Sequence, residues 1–432
     1  MSRGNASTAA RAASRVECTV TRTPSTCRDL EAGTESAVIV WISAIGFDIN
    51  HVSTLCRHAW HGRVSNLLRF VLPEEKTGRQ GWMTVIKTLM RKAYMQGARY
   101  SGLSALFSPL LSGVGAILML HHVRPYGGGL GLNRLLEIEP AFLDRLLDEL
   151  KRDARFVSMD EAADRLRRGH EDERYLAVTL DDGYRDNVEH AAPVFRAHGV
   201  PYTIYVCPGY ADRSADLWWE LADMIVEAND EVAFDTASGR KVLDCRTAAA
   251  KHKAYAEFMQ YAWTQIDEDA QRELVRSLCE TYGIDRRAHS DASLLDWDEL
   301  RALGSDPLAT IGAHTVNHFM LARLPRDRAA EEMARSRDLL AEQLGKRPSH
   351  LAYPYGFPAA VGQREVDIAR ELGFETGVTT RHGMLMPGHK DAMQALPRVS
   401  VNGNYQHVSY VETMLSGITV PPANRGRRFV TV

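Results

Sequence analysis

Cysteine is scarce in this sequence, and its few copies stand far apart. The 432 residues contain six cysteines, and no two of them form a CxxC motif. Zinc ribbons and dithiol redox sites depend on that spacing, so the sequence argues against both kinds of site. Unpaired thiols are typical of a reducing compartment, and we therefore expect a cytoplasmic protein.

The sequence also lacks a surplus of either charge. Its formal net charge is -3, with 25% charged and 45% hydrophobic residues. These are ordinary values for a globular protein, and nothing in them indicates a nucleic-acid surface. We expect no nucleic-acid partner. The length allows one large domain with appendages or two domains.

Long apolar runs are missing too. The run from Ala37 to Phe47 has 11 residues, which is too short to span a bilayer. Ser101 to Leu120 follows basic residues, like a signal anchor, but Pro109 and Gly113 divide it. We predict a short surface helix there, followed by the first core strand, and membrane association remains the alternative.

Composition and pattern divide the chain into four parts. The first thirty residues are rich in Ser, Thr, Ala and Arg, as in a presequence or a mis-called start, and Met83 begins a more conventional sequence. We predict an N-terminal extension (1–82), a helical lead-in (83–113), a main domain (114–410) and a C-terminal tail (411–432).

Within the main domain, short apolar strands alternate with amphipathic helices. This alternation predicts a mainly parallel sheet, either open or closed into a barrel. Residues 212 to about 305 break the rhythm and read as a mostly helical insertion, with a hairpin near Ser238-Gly239. Four tryptophans in the insertion suit core packing or stacking on sugar rings: Trp218, Trp219, Trp263 and Trp297.

Two adjacent carboxylates follow one of these apolar strands. Leu176 to Leu180 leads directly into Asp181 and Asp182, and Gly183 comes next. Parallel α/β proteins place active-site residues at the carboxyl ends of their strands. The alternative is that the two acids only cap the following helix.

A histidine pair follows a later strand. His314 and His318 stand four residues apart, a spacing that suits two imidazole ligands of one metal. In a parallel barrel they would share a rim with Asp181 and Asp182. Two imidazoles and one carboxylate, with one position left open, describe a catalytic zinc site.

A third motif, Tyr353-Pro354-Tyr355-Gly356, again follows a predicted strand. Pro354 and Gly356 would fix the backbone around Tyr355 and could aim its N–H at a bound oxygen, as an oxyanion donor. A rigid turn with packed tyrosines is the alternative.

Together the three motifs resemble those of the polysaccharide deacetylases, carbohydrate esterase family four, which includes the nodulation-type chitooligosaccharide deacetylases. The family's first two motifs stand here as Thr179-Leu180-Asp181-Asp182-Gly183 and His314-Thr315-Val316-Asn317-His318, and the third as Tyr353 to Gly356. The resemblance covers roughly residues 114–403. It implies an α/β fold, a distorted (β/α) barrel of about seven parallel strands.

The resemblance also implies roles for these residues. Asp181 would be the catalytic base, and Asp182, His314 and His318 would hold a divalent metal, usually zinc, with cobalt as the other candidate. The Tyr355 N–H and the metal would stabilise the tetrahedral intermediate. Around them, we predict that substrate contacts come from Tyr184, Tyr353, Pro354 and Arg398.

The proton donor is where the sequence departs from the family pattern. Ala352 stands where many members carry an arginine, so no arginine there can orient Asp181. In a subgroup resembling the poly-N-acetylglucosamine deacetylases, a histidine after the first strand supplies the acid. His121 is the candidate here, and His122 and His382 are the alternatives.

These observations predict a metal-dependent hydrolase that acts on carbon–nitrogen bonds and removes N-acetyl groups from N-acetylglucosamine units of an oligo- or polysaccharide. Such a glycan is the expected partner, and the oligomeric state stays open. The alternatives are an O-acetyl esterase of the xylan type and a catalytically idle carbohydrate-binding protein. We expect a cytoplasmic location, with membrane association as a further option.

Overall fold

A computed structural model of the protein describes residues 79–169 and 173–432. Most of the predicted extension, residues 1–78, lies outside the described residues. The first described helix begins at Arg79, four residues before the predicted start of the lead-in. The boundaries of the four predicted parts otherwise remain predictions.

Seven parallel strands close into a barrel. Around the barrel the strands follow the order β1-β12-β11-β10-β9-β6-β5, and β5 pairs again with β1. The short β4 pairs in parallel with the other side of β5. The predicted (β/α) barrel is confirmed. In chain order the strands are β1 (Gly115–Leu120), β2 (His122–Val123), β3 (Glu137–Ile138), β4 (Arg155–Val157), β5 (Tyr175–Leu180), β6 (Tyr202–Val206), β7 (Glu231–Thr236), β8 (Gly239–Asp244), β9 (Ala309–Ala313), β10 (His350–Ala352), β11 (Thr376–His382) and β12 (Leu396–Ser400).

Helices surround the barrel and form most of the segment between β6 and β9. The α-helices are α1 (Arg79–Tyr100), α2 (Leu103–Leu111), α3 (Pro140–Leu150), α4 (Met159–Arg168), α5 (Ala192–His198), α6 (Pro208–Ala211), α7 (Trp218–Ala228), α8 (Ala248–Thr264), α9 (Glu268–Tyr282), α10 (Arg286–Ser293), α11 (Trp297–Leu303), α12 (Arg326–Leu344), α13 (Gln363–Glu371), α14 (Val408–Leu415) and α15 (Val420–Ala423). A π-helical turn (Asn187–Ala191) precedes α5, and 3₁₀ turns span Arg134–Leu136, Leu321–Arg323, Pro387–Asp391, Met393–Ala395 and Gly403–Tyr405.

The alternation of side chains along β5 explains how the barrel positions Asp181. Leu176, Val178 and Leu180 pack in the cluster between the strands and the helices, whereas Tyr175 and Ala177 belong to the cluster inside the barrel. Successive strand residues point to opposite faces, so Thr179 and Asp181 continue the inner row. The strand therefore delivers Asp181 to the mouth of the barrel.

The segment between β6 and β9 forms a second apolar core on that mouth. Its buried residues come mainly from α7, α8 and α9, and the core includes Trp218 and Phe258. Strands β7 and β8 form the antiparallel hairpin predicted near Ser238-Gly239. The backbone N–H of Leu295 donates to the Gly183 carbonyl, which ties the segment to the loop after β5.

The apolar stretch from Ser101 to Leu120 forms a helix and a strand. Helix α2 lies at the surface, and β1 is buried along its whole length. The prediction of a surface helix followed by the first core strand is confirmed. Among the described residues, no helix combines the length and apolar character that crossing a membrane requires.

Candidate active site

The loops after β5, β9 and β10 meet at one rim of the barrel. Parallel strands place their carboxyl ends on the same side, so Asp181, His314 and Tyr353 each begin a loop at that rim. β9 and β10 are neighbours, and β6 separates β9 from β5. The barrel thus brings the three predicted motifs together.

The backbone at this rim is unusual. Asp182, Thr315, His318 and Tyr355 all have positive φ angles, of 75°, 62°, 53° and 63°. A residue with a side chain pays about 1–3 kcal/mol for such a conformation, which persists only where its surroundings impose it. Such strain clusters at functional sites, and here it coincides with the predicted ones.

Asp182, His314 and His318 form a compact, buried cluster of potential metal ligands. The Asp182 Oδ1 atom lies 3.4 Å from His314 Nε2 and 3.2 Å from His318 Nε2. His314 Nδ1 lies 2.7 Å from the Ala352 carbonyl oxygen. That bond requires the proton on Nδ1, so the lone pair of Nε2 faces Asp182, as in a metal-ligating histidine.

The cluster suits a divalent cation. Asp182 Oδ1 is buried and has no hydrogen-bond partner among the described residues. Burial raises the pKa of Asp182, but the imidazoles of His318 and His314 outweigh burial and hold the pKa well below its usual value. One carboxylate and two imidazole nitrogens match the ligand set of catalytic zinc sites.

Asp181 is paired with a buried arginine from the far end of the chain. Arg398 Nη1 and Nη2 lie 2.7 and 2.6 Å from the two Asp181 oxygens. Nη1 also donates to Thr179 Oγ1 and Nε to the Thr379 carbonyl. Burial raises the pKa of Asp181, but the charge and hydrogen bonds of Arg398 prevail and lower it. The carboxylate is therefore held ionised and oriented.

This placement corrects the prediction for Arg398. Its side chain is completely buried and its guanidinium is bonded to protein partners, so it is placed to orient Asp181 and does not line the open mouth. The arginine that the sequence lacks at Ala352 is supplied by β12, because Leu396 and Arg398 occupy alternate, inward positions.

His121 lies beside the proposed base. Its Nε2 atom is 3.9 Å from Asp181 Oδ2, and 18% of its side chain is exposed. Burial lowers the pKa of the imidazole, and Asp181 and Asp182 partly offset that effect. Among the three histidines considered as proton donors, this one both approaches Asp181 and reaches the open mouth.

The other two histidines have structural partners. His122 Nδ1 lies 2.6 Å from Asp186 Oδ2, and its Nε2 lies 2.7 Å from Glu220 Oε1. His382 Nε2 lies 2.8 Å from the Thr419 hydroxyl, on the side of α15. Both ring nitrogens of His122 have carboxylate partners, and His382 contacts the segment before α15, so these contacts favour neither as proton donor.

Three of the predicted substrate contacts are also corrected by burial. Tyr184 is fully buried, with its ring centroid 3.6 Å from that of His122. Tyr353 is equally buried, and its hydroxyl donates to the Gln394 carbonyl. Pro354 is buried beside it. All three side chains are buried, so they pack among the loops of the rim and do not line its open surface.

Tyr355 occupies the position predicted for the oxyanion donor. Its N–H pairs with no acceptor within the described ranges. Its ring lies 4.8 Å from that of His318, and its hydroxyl accepts a hydrogen bond of 2.9 Å from Trp218 Nε1. A helix of the inserted segment thus holds the turn that presents this N–H.

The inserted segment supplies further contacts that the sequence analysis missed. Arg272 Nη2 donates to the His318 carbonyl at 2.8 Å, and the Trp219 ring lies 4.9 Å from the His318 ring. Trp218 and Trp219 are buried, but Trp263 is 38% exposed and lies edge-on to Tyr355 at 6.5 Å. The four tryptophans were the feature of the sequence that could have indicated these contacts. The sequence pattern alone could not show which tryptophan is exposed.

A second histidine–carboxylate cluster lies at the opposite end of the barrel. His350 Nε2 lies 2.9 Å from Asp160 Oδ1, and Nδ1 lies 2.9 Å from the Thr376 hydroxyl. Both His350 nitrogens therefore have hydrogen-bond partners in the protein, whereas the Nε2 atoms of His314 and His318 face Asp182. This cluster joins β10 to α4 and provides a comparison for the active site.

Several solved structures have a similar chain trace, and the titles of some of them name deacetylases. The Streptococcus pyogenes deacetylase PplD, in complex with acetate, is 18% identical (TM-score 0.46, covering 67% of this chain and 92% of that one). IcaB from Ammonifex degensii is 21% identical (TM-score 0.44, 70% and 97%). The BpsB deacetylase domain from Bordetella bronchiseptica is 15% identical (TM-score 0.39, 66% and 95%).

A search of curated protein sequences gave no match. The family comparison is more informative. Residues 168–377 match the sequence model of the family described as polysaccharide deacetylase. That range contains Asp181, Asp182, His314, His318 and Tyr355, while His121 and Arg398 lie outside it. The matched range and the three motifs it holds show that the chain contains a domain of the polysaccharide deacetylase family.

Proposed function

We propose that this protein is a divalent-metal-dependent deacetylase that removes N-acetyl groups from N-acetylglucosamine units of an oligo- or polysaccharide. The observation that carries the proposal is that two adjacent carboxylates have different partners. Asp181 is held ionised by Arg398, and Asp182 shares a buried space with two imidazole nitrogens. One carboxylate is thus equipped as a base and the other as a ligand.

Asp182, His314 and His318 would hold the metal. A divalent ion such as Zn²⁺ or Co²⁺ would supply Lewis acidity, which activates water and polarises the acetyl carbonyl. The His314 side chain is pre-oriented for this role by its bond to the Ala352 carbonyl.

The chain's own residues would move the protons. Asp181 accepts a proton from the attacking water, and Arg398 keeps the carboxylate aimed at the mouth. The Tyr355 N–H donates to the acetyl oxygen as negative charge develops on it. His121 delivers a proton to the nitrogen of the leaving sugar amine, so acetate and the free amine are the products.

Trp263 supports a glycan as substrate. Its exposed ring stands at the mouth, next to the Tyr355 turn. An exposed aromatic face beside a polar site is suited to stack on a pyranose ring. Arg398 also removes the main reason to consider an idle binding protein, because the missing arginine of the third motif has a replacement.

The test is an acetate-release panel. The full chain, supplied with Zn²⁺ or Co²⁺, is incubated with chitooligosaccharides, poly-N-acetylglucosamine and acetylated xylan. We expect acetate from the N-acetylated glycans. Asp181→Asn should lower the rate about a hundredfold to ten-thousandfold, the usual contribution of a general base.

The matched control is Asp160→Asn. Asp160 also pairs with an imidazole, but at the opposite end of the barrel, so this variant should keep its activity. Release from acetylated xylan alone would assign the protein as an O-acetyl esterase. Binding of chitooligosaccharides without any acetate release would make it a binding protein and contradict the proposal.

A further inference from the structure

Helix α2 carries an apolar surface that no described part of the chain covers. None of its nine residues is buried. Leu106, Phe107 and Leu110 are 70%, 42% and 58% exposed. Single exposed leucines are ordinary on protein surfaces, but a contiguous cluster of large apolar side chains marks an interaction surface.

The exposed apolar side chains are concentrated in this region. Among the described residues, eleven large hydrophobic side chains are exposed, and seven of them belong to α1, α2 or the C-terminal segment. These seven are Leu89, Met90, Tyr100, Leu106, Phe107, Leu110 and Phe429. The other four are scattered, so the exposed large apolar side chains are concentrated in these three segments.

The same region is depleted of acidic residues. The sequence has no Asp or Glu between Glu75 and Glu137, and none after Glu412. Helix α1 contributes the exposed basic residues Lys87, Arg91 and Arg99, and Arg99 pairs with Glu412. The exposed C-terminal turn adds Arg425, Arg427 and Arg428. Apolar and cationic side chains therefore stand side by side.

An open cavity of about 500 Å³ lies between α2 and the C-terminal segment. Leu110, Val114 and Phe429 give it apolar walls, and Arg174 and Arg428 line it with positive charge. No carboxylate is among the residues that line it. Arg174 donates to the Leu415 carbonyl, while its Nε has no hydrogen-bond partner among the described residues.

We propose that this face, defined by Leu106, Phe107, Leu110, Arg428 and Phe429 and called the α2 face, binds the surface of an anionic phospholipid bilayer. A helix of nine residues is about 14 Å long, too short to cross a bilayer but long enough to lie in its interface. The apolar side chains enter the boundary between headgroups and acyl chains, and the arginines contact headgroup phosphates. The proposal is independent of the deacetylase activity.

The barrel sets the orientation of the bound protein. Val114 immediately precedes β1, and Arg174 immediately precedes β5, so the cavity lies at the amino ends of these strands. Asp181 follows the carboxyl end of β5. The α2 face and the catalytic mouth are therefore at opposite ends of the barrel, and the mouth points away from the bilayer.

Co-sedimentation of the full chain with vesicles tests the proposal. Vesicles of phosphatidylcholine alone are compared with vesicles of equal parts phosphatidylcholine and phosphatidylglycerol. We expect binding to the mixed vesicles, little binding to the neutral ones, and release as the salt concentration rises. A basic residue near the bilayer surface contributes about 1 kcal/mol to binding, and every 1.4 kcal/mol is about tenfold in affinity. The double variant Arg427→Ser/Arg428→Ser should therefore bind roughly thirty-fold more weakly.

Leu106→Glu should abolish binding, whereas Val242→Glu is the matched control. Val242 is 52% exposed on the hairpin of the inserted segment, away from this face, so its variant should bind like the wild type. Acetate release from a soluble oligosaccharide should be unchanged in all these variants, which shows that they are folded. Vesicle binding itself needs no activity.

Three outcomes would overturn the proposal. The wild type fails to bind the mixed vesicles, as it would if residues outside the described ranges cover α2. Leu106→Glu binds as well as the wild type, as it would if the basic residues near the N-terminus carried the binding. The protein forms dimers without vesicles and Leu106→Glu makes it monomeric, which would assign the face to a second copy of the chain.

Discussion

Replacing His122 by glutamine should change how the stability of this protein depends on pH. His122 is 2% exposed and lies between the carboxylates of Asp186 and Glu220. Burial alone would lower its pKa, but Glu220 and Asp186 outweigh burial and raise the pKa to about 9. The imidazole is therefore charged in the folded protein at neutral pH and joins β2 to α7.

The size of the effect follows from the two pKa values. In the unfolded chain the imidazole loses its proton near its ordinary pKa of 6.5, and in the folded protein it keeps the proton until about pH 9. Each pKa unit corresponds to about 1.4 kcal/mol, so the difference corresponds to roughly 3 kcal/mol of unfolding free energy. This contribution is complete below pH 6.5 and disappears as the pH rises through about 9.

The assay is urea unfolding of the wild type and His122→Gln at a series of pH values. The difference in unfolding free energy should be largest near pH 6 and should shrink by roughly 3 kcal/mol by about pH 10. Titrating groups that do not contact His122 affect both proteins equally and largely cancel in the difference. His198→Gln is the control, because His198 pairs with the exposed Asp144 and such pairs contribute little.

The result that would refute this reasoning is a constant difference. If the wild type and His122→Gln lose stability in parallel between pH 6 and about pH 10, then His122 is not protonated in the folded protein, and its two carboxylate contacts must be explained by protonated acids.

Three further changes have defined outcomes. Arg398→Met should lower the unfolding free energy by about 3–5 kcal/mol in urea titrations, because it leaves Asp181 buried without its partner, and acetate release should vanish. An unchanged unfolding free energy would contradict the buried pair. His121→Gln should slow acetate release from an N-acetylated sugar about a hundredfold yet spare 4-nitrophenyl acetate, whose leaving group needs no protonation. Equal losses on both substrates would argue against a proton donor. Trp263→Ala should lower kcat/KM for chitooligosaccharides roughly tenfold, equivalent to about 1.4 kcal/mol, and leave 4-nitrophenyl acetate unaffected. No preference between the two substrates would place Trp263 outside the glycan site.

The parts of the site that could be predicted from the sequence are those that follow strands. Asp181 and His314 each come directly after an apolar strand, and parallel strands bring their carboxyl ends to one rim. The exact ends of the strands show the limit of this approach. Strand β11 runs from Thr376 to His382, because Phe374 packs in the helix-side core before the strand begins.

The parts that could not be predicted depend on contacts between distant segments. Arg398 lies 217 residues from Asp181 in sequence, and only closure of the barrel brings β12 into reach. The alternation along β12 places Arg398 in the inner row, but that inference needs the strand's orientation, which the sequence does not give. Glu220, the partner of His122, comes from the inserted segment, for which the pattern predicted helices and a hairpin but no contact with the barrel.

The strained backbone of the rim has a consequence for how the protein would bind the proposed metal. Thr315 combines a positive φ with a β-branched, buried side chain whose hydroxyl has no partner among the described residues. Local preferences oppose this conformation, so the rest of the barrel imposes it. We therefore expect the barrel to impose the shape of the ligand loop, in contrast to a zinc finger, which folds around its metal. A chelator should leave the barrel folded, and metal exchange should be limited by access through the mouth.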